Sequence, residues 1–133
     1  MKITQEMLAD MGACEDHVRL FSRTFPRGAA VTLGNIEKAR AAGLDLSWLA
    51  RNSSTPPEVL AVLSNDTDDK VRYSVAGNSS TPLDVLAVLS TDTDTVVRYS
   101  VARNSSTPPE VLAVLSTDTD TVVRRAVAGN SST

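Results

Sequence analysis

The chain repeats itself at close range, and that fact limits its fold more than any other. Residues 71–96 read VRYSVAGNSSTPLDVLAVLSTDTDTV, and residues 97–122 read VRYSVARNSSTPPEVLAVLSTDTDTV. The copies differ only at Gly77/Arg103, Leu83/Pro109 and Asp84/Glu110, which sets a period of 26 residues. The register continues upstream through Leu49 to Leu60, with Trp48 in the place of Ser74, and downstream through Val123 to Asn130. A unit this short cannot bury an apolar face alone, so its neighbours must cover it in a stacked solenoid. The organisation that follows is a non-repeating segment over 1–47 and repeats over 48–70, 71–96 and 97–122. A partial unit at 123–133 completes one continuous domain.

Each unit carries two helix signals. In Thr107-Pro108-Pro109-Glu110, Thr107 suits an N-cap, Pro108 the first helical position, and Glu110 the return arm of a capping box. Thr55 with Glu58 and Thr81 with Asp84 repeat the pattern, and Val111, Leu112 and Leu115 then share one apolar face. The second signal starts at Asp94 as N-cap and runs from Thr95 to Ala102, with Val97 and Val101 at i, i+4. Its two turns suit a short α-helix or a 3₁₀ segment. Asn104-Ser105-Ser106 is read as the turn between the helices.

The pattern V-R-x-x-V-A-x-N-x-x-T-P-x-E/D-V-L-x-x-L-x-x-D-x-D, at Val71 to Asp94 and again at Val97 to Asp120, resembles the leucine-rich repeat variant family of prokaryotic α-solenoids. The resemblance implies paired α- and 3₁₀-helices in a right-handed, HEAT-like superhelix. Ser53, Ser79 and Ser105 stand where that family often has Pro, and lone Cys14 cannot reproduce the cysteine cluster that some members carry. The fold expected is therefore all-α: a short right-handed α-solenoid of two-helix repeats behind an N-terminal helical cap.

The first 47 residues read as that cap. Thr4 caps a helix over Gln5 to Met11, and a second covers Ala13 to Arg23 with Val18, Leu20 and Phe21 as anchors. Phe25-Pro26-Arg27-Gly28 breaks the chain; Thr32 caps a third helix over Leu33 to Ala42, closed by Gly43. Gly12-Ala13-Cys14, Phe25-Pro26, Val31-Thr32, Ala42-Gly43-Leu44-Asp45 and Trp48-Leu49-Ala50 are similar to a stretch of uncharacterised bacterial and phage proteins. That likeness implies no activity.

Composition narrows the chemistry. One cysteine and one histidine exclude an internal disulfide and any cysteine-ligated or multi-histidine metal site within one chain. Cys14 with His17 at i+3 is a conceivable nucleophile pair, but no third orienting group is identifiable, and a structural cysteine is the simpler reading. Asp66/Asp68/Asp69, Asp92/Asp94 and Asp118/Asp120 lack the glycine and distal glutamate of a calcium loop, so no metal or cofactor is expected. The N-S-S sequences at Asn52, Asn78, Asn104 and Asn130 are turn chemistry rather than glycosylation sites. Nothing before the polar sequence after Ile3 forms a secretion signal, and no apolar run approaches a membrane span, so a cytoplasmic protein without membrane contact is expected.

Charge is uneven. Residues 1–50 hold six basic and six acidic groups, and residues 51–133 hold seven and ten, so the net −3 belongs to the repeats. In a stack Arg72, Arg98 and Arg124 form one row and the Asp pairs another. Either each Arg pairs with an Asp from an adjacent turn, or the Arg row, flanked by Tyr73, Tyr99 and Arg125, lines a partner site. In a third reading the Asp rows imitate nucleic-acid charge, as a phage- or mobile-element-encoded inhibitor of a basic host protein would. The function expected is non-catalytic binding of a protein partner, with nucleic acid on the Arg row as the alternative. Val122, Val123, Ala126 and Val127 lack a following helix and are expected to form an exposed stripe for homo-oligomerisation.

Overall fold

A computed structural model describes residues 2–10 and 12–131. Among them are ten helices and two strands of two residues each. The protein is an all-α helical repeat protein.

The cap comprises α1 (Gln5–Asp10), α2 (Glu15–Thr24) and α3 (Leu33–Ala41). Thr4 caps α1 by accepting the Met7 N–H, and Thr32 caps α3 by accepting the Asn35 N–H. Met11, the expected end of the first helix, lies outside the described residues. Gly43, at φ +88°, lets the chain leave α3, with Gly43 N–H bonded to Arg40 O and Leu44 N–H to Ala39 O. The antiparallel strands β1 (Lys2–Ile3) and β2 (Ala29–Ala30) tie the start of the chain to the loop before α3. Gly28 precedes β2 at φ +77°, and a Cβ there would lie 2.7 Å from Ile3 O, so this approach needs glycine. Two-residue strands carry no alternation, and the sequence reading contained none.

The repeats supply α4 (Ser47–Arg51), then α5 (Pro57–Leu63) with α6 (Asp69–Gly77), α7 (Leu83–Leu89) with α8 (Thr95–Arg103), and α9 (Pro109–Leu115) with α10 (Thr121–Ala128). Both helices of each pair are α-helical, and no 3₁₀ segment occurs among the described residues. The second helices pack in succession, α4 on α6, α6 on α8 and α8 on α10, and the first helices lean against them. Val59, Leu60 and Leu63, with their equivalents Val85, Leu86, Leu89 and Val111, Leu112, Leu115, join Val71/Val75, Val97/Val101 and Val123/Val127 in one core. That core continues into the cap through Trp48, Ile36, Phe21 and Ile3.

Thr55, Thr81 and Thr107 are not the expected N-caps. They are buried, and their hydroxyls donate to Leu49 O, Val75 O and Val101 O at 2.7, 2.6 and 2.7 Å, satisfying carbonyls at the end of the preceding helix. The N-cap positions fall one residue later, on Pro56, Pro82 and Pro108, and make no side-chain cap. The capping box is therefore absent. The aspartate caps are as expected: Asp68, Asp94 and Asp120 accept the N–H groups of Lys70, Val96 and Val122.

The N-S-S turns do more than turn. Asn78 Nδ2 donates to Ala50 O and Asn52 O, Asn104 Nδ2 to Ala76 O and Asn78 O, and Asn130 Nδ2 to Ala102 O and Asn104 O, all between 2.7 and 3.1 Å. The Oδ1 atoms of Asn78 and Asn104 meanwhile accept the N–H of Ser80 and Ser106. Asn78 and Asn104 thus each close their own turn and fasten it to the previous unit, and Asn130 is fastened in the same way.

Candidate interaction surface

Two adjacent residues on a helix point about 100° apart, and this separates the fates of Arg72 and Tyr73, and of Arg98 and Tyr99. The arginines turn into the stack. Arg72 Nε lies 2.9 Å from Asp92 Oδ2, and Arg98 Nε 2.8 Å from Asp118 Oδ2, each pair joining a second helix (α6, α8) to the turn that follows the next first helix (α7, α9). Their Nη1 groups also donate to Asp66 O and Asp92 O, 2.9 Å away in both cases. The Arg98 and Asp118 side chains are only 15% and 9% exposed. Hydrogen bonding to Asp92 and Asp118 raises both guanidinium pKa values above the ordinary one. Of the two arrangements open to the Arg row, Arg72 and Arg98 have the aspartate pairing, which holds both guanidinium groups mostly inside the stack. Arg124 is exposed and donates to Asp118 O and Thr121 Oγ1, with no carboxylate partner among the described residues.

The acidic rows are engaged in the same ladder. Asp66, Asp92 and Asp118 each accept the N–H two residues on and hold an arginine, while the second Asp of each pair caps a helix. At the cap end the arginine comes from outside the repeat: Arg40 of α3 places Nε and Nη2 at 3.0 and 2.7 Å from Asp66 Oδ2. One aspartate of each row is thus paired with an arginine, and the other is turned to a helix N-terminus.

The expected self-association stripe is also corrected. Val123 and Val127 are 0% and 4% exposed, because α8 and α9, which precede them, cover the face on which they lie. Only Val122, 51% exposed, and the half-buried Ala126 reach the surface.

These two lie on a different face, where Tyr73, Tyr99 and Arg125 stand one period apart on α6, α8 and α10. Beside them Arg103 sits with its guanidinium 5.7 Å from the centre of the Tyr99 ring, and its Nη1 donates to Tyr99 Oη at 3.1 Å. An open depression of about 490 Å³ between α8 and α10 is lined by Tyr99, Arg103, Val122, Arg125, Ala126 and Gly129, among others. A second of about 190 Å³, between α6 and α8, is lined by Tyr73, Gly77, Tyr99 and Arg103. A third includes Lys70, Tyr73, Val96 and the carboxylates of Asp69 and Asp94. The structure thus brings Tyr73, Tyr99 and Arg125 together, separates them from Arg72 and Arg98, and adds Arg103, Lys70 and Val96. Arg103 had a signal in the sequence, being one of the three differences between otherwise identical copies.

Elsewhere the chemistry is sparse. Cys14 Sγ lies 3.0 Å from His17 Nδ1 on the exposed start of α2. No pocket among those described is lined by Cys14. Among the described residues no group of three His, Cys, Asp or Glu side chains is placed to hold a metal, and no helix is long and apolar enough to cross a membrane. No family model, curated protein or solved structure matches the chain.

Proposed function

We propose that the protein is a non-catalytic interaction module that binds a protein partner along the face formed by α6, α8 and α10. The observation that carries this reading is the row of Tyr73, Tyr99 and Arg125 with Arg103 beside it, above two adjoining depressions. Tyrosine and arginine supply large contact area together with hydrogen-bonding tips, and they dominate binding energy at protein interfaces. The ladders support the same assignment, since they hold the stack without using this face. The resemblance of the repeats to leucine-rich repeat variants suits a stacked binding surface. An intracellular setting would keep the Cys14 thiol reduced.

A capture experiment from native lysate, with and without nuclease, tests this. A variant carrying Tyr73→Ala, Tyr99→Ala and Arg125→Ala is compared with one carrying Val88→Asp and Val114→Asp, which alters exposed positions on the first helices. The proposal expects a nuclease-resistant protein partner that is lost with the first variant and kept by the second. Loss with the second alone, or dependence on nucleic acid, would contradict it.

A further inference from the structure

Resting on that interaction face, we infer that its occupant is an acidic segment of the partner, laid across α8 and α10 with a carboxylate between Arg103 and Arg125. The argument is charge complementarity against an unusual background. The repeats carry more acids than bases, and Arg72 and Arg98 are each neutralised by an aspartate 20 residues further on. Arg103 and Arg125 have no such partner among the described residues, yet both line the same depression. Arg103 is also oriented in advance, because its hydrogen bond and ring contact with Tyr99 restrain a side chain that would otherwise lose much rotamer freedom on binding. Tyr99, Val122 and Ala126 supply apolar surface between the two cations, which suits an acidic residue flanked by aliphatic ones.

The cationic stretch is short. Beyond Tyr73 the same face meets Asp69 and Asp94, so a polyanion running along it would encounter like charge. Nucleic-acid affinity grows with the number of phosphates neutralised, and two guanidinium groups bring little of it. A protein segment with one or two carboxylates fits better.

The test uses fluorescence anisotropy with short labelled peptides of Glu and Leu spaced by Ser, the same peptides with Gln or Lys in place of Glu, and oligothymidylate. The expected result is binding of the Glu peptide about tenfold tighter than the Gln peptide at low salt, with the difference shrinking as salt is added. In the variant Arg103→Gly with Arg125→Tyr, that preference should disappear. It is built from residues the chain already accepts at Gly77, Gly129, Tyr73 and Tyr99, so its fold is protected. Arg103→Glu with Arg125→Glu should transfer the preference to the Lys peptide. Equal binding of the Glu and Gln peptides, both weakened by Tyr99→Ala, would overturn the acidic occupant and leave the interaction face standing. Tighter binding of oligothymidylate than of the Glu peptide would overturn both. Absence of peptide binding would overturn the occupant, and the face would then stand or fall on the capture experiment.

Discussion

Replacing Asn104 by Ala should damage the stack far more than a turn residue ordinarily would. Its Nδ2 donates to Ala76 O at 2.7 Å and to Asn78 O at 3.1 Å, and its Oδ1 accepts the Ser106 N–H at 2.8 Å. Ala76 and Asn78 are buried, so Ala76 O would lose its side-chain donor where water does not reach, and Asn78 O would keep only the Thr81 N–H. A net hydrogen bond is worth about 1 kcal/mol, and an acceptor stranded in the interior costs about 1–3 kcal/mol, which places the loss near 3 kcal/mol. Asn104→Asp should be worse at neutral pH, because it sets an anion against the same two carbonyls. Protonation restores one donor, so that variant should recover in part as pH falls. Urea unfolding followed by Trp48 fluorescence and helical circular dichroism reads both effects as midpoint shifts at constant slope. A loss below about 0.5 kcal/mol for Asn104→Ala, the range of ordinary surface changes, would refute the reasoning. So would an Asp variant no worse than Ala.

Three further outcomes follow from the same contacts. Arg40→Ala should lower stability by about 1–3 kcal/mol in the same urea assay, because Asp66, only 4% exposed at its side chain, loses its guanidinium; a neutral result would show that the cap does not close the ladder. Thr107→Val, which keeps the shape and removes the hydroxyl, should cost about 1 kcal/mol, because Val101 O keeps the Asn104 N–H but loses its second, buried donor; no change would restore Thr107 to a passive role. Stability should also fall in acid. Burial pushes the Asp118 carboxyl up, but the Arg98 hydrogen bond, the Asp120 N–H and the nearby guanidinium charges outweigh it and hold it below 3.8. A folded value below the unfolded one gives stabilisation that is complete above 3.8 and lost as pH falls beneath it. Asp118→Asn should flatten that part of the pH profile, and an unchanged profile would count against the pairing.

The period, the paired helices and the aspartate caps were legible because each rests on signals local to one unit. The threonines misled because a hydroxyl before Pro is also a cap signal, and the carbonyl six residues back to which Thr55, Thr81 and Thr107 donate comes within reach only once the Asn-Ser-Ser turn has folded. For Asn104 the local half, the bond to Ser106, was readable as turn chemistry, while its two bonds to the previous unit needed three dimensions. Val123 and Val127 carried their own warning, being the equivalents of Val97 and Val101. The expectation of exposure assumed that cover comes from the following helix, whereas it comes from the preceding ones. The Arg row was readable only as alternatives, and the geometry of Asp92 and Asp118 decides between them. The α6–α8–α10 face was partly visible in Tyr73, Tyr99 and Arg125, but the depressions between the helices depend on packing that no single unit encodes.

The most direct test of the account maps where a ligand touches the protein. Backbone amide chemical shifts, recorded while the Glu-containing peptide is added, should move at Tyr99, Arg103, Val122, Arg125 and Ala126 and stay still at Val88 and Val114. Movement confined to Val88 and Val114, on the first helices, would place the binding surface on the opposite set of helices and contradict the account.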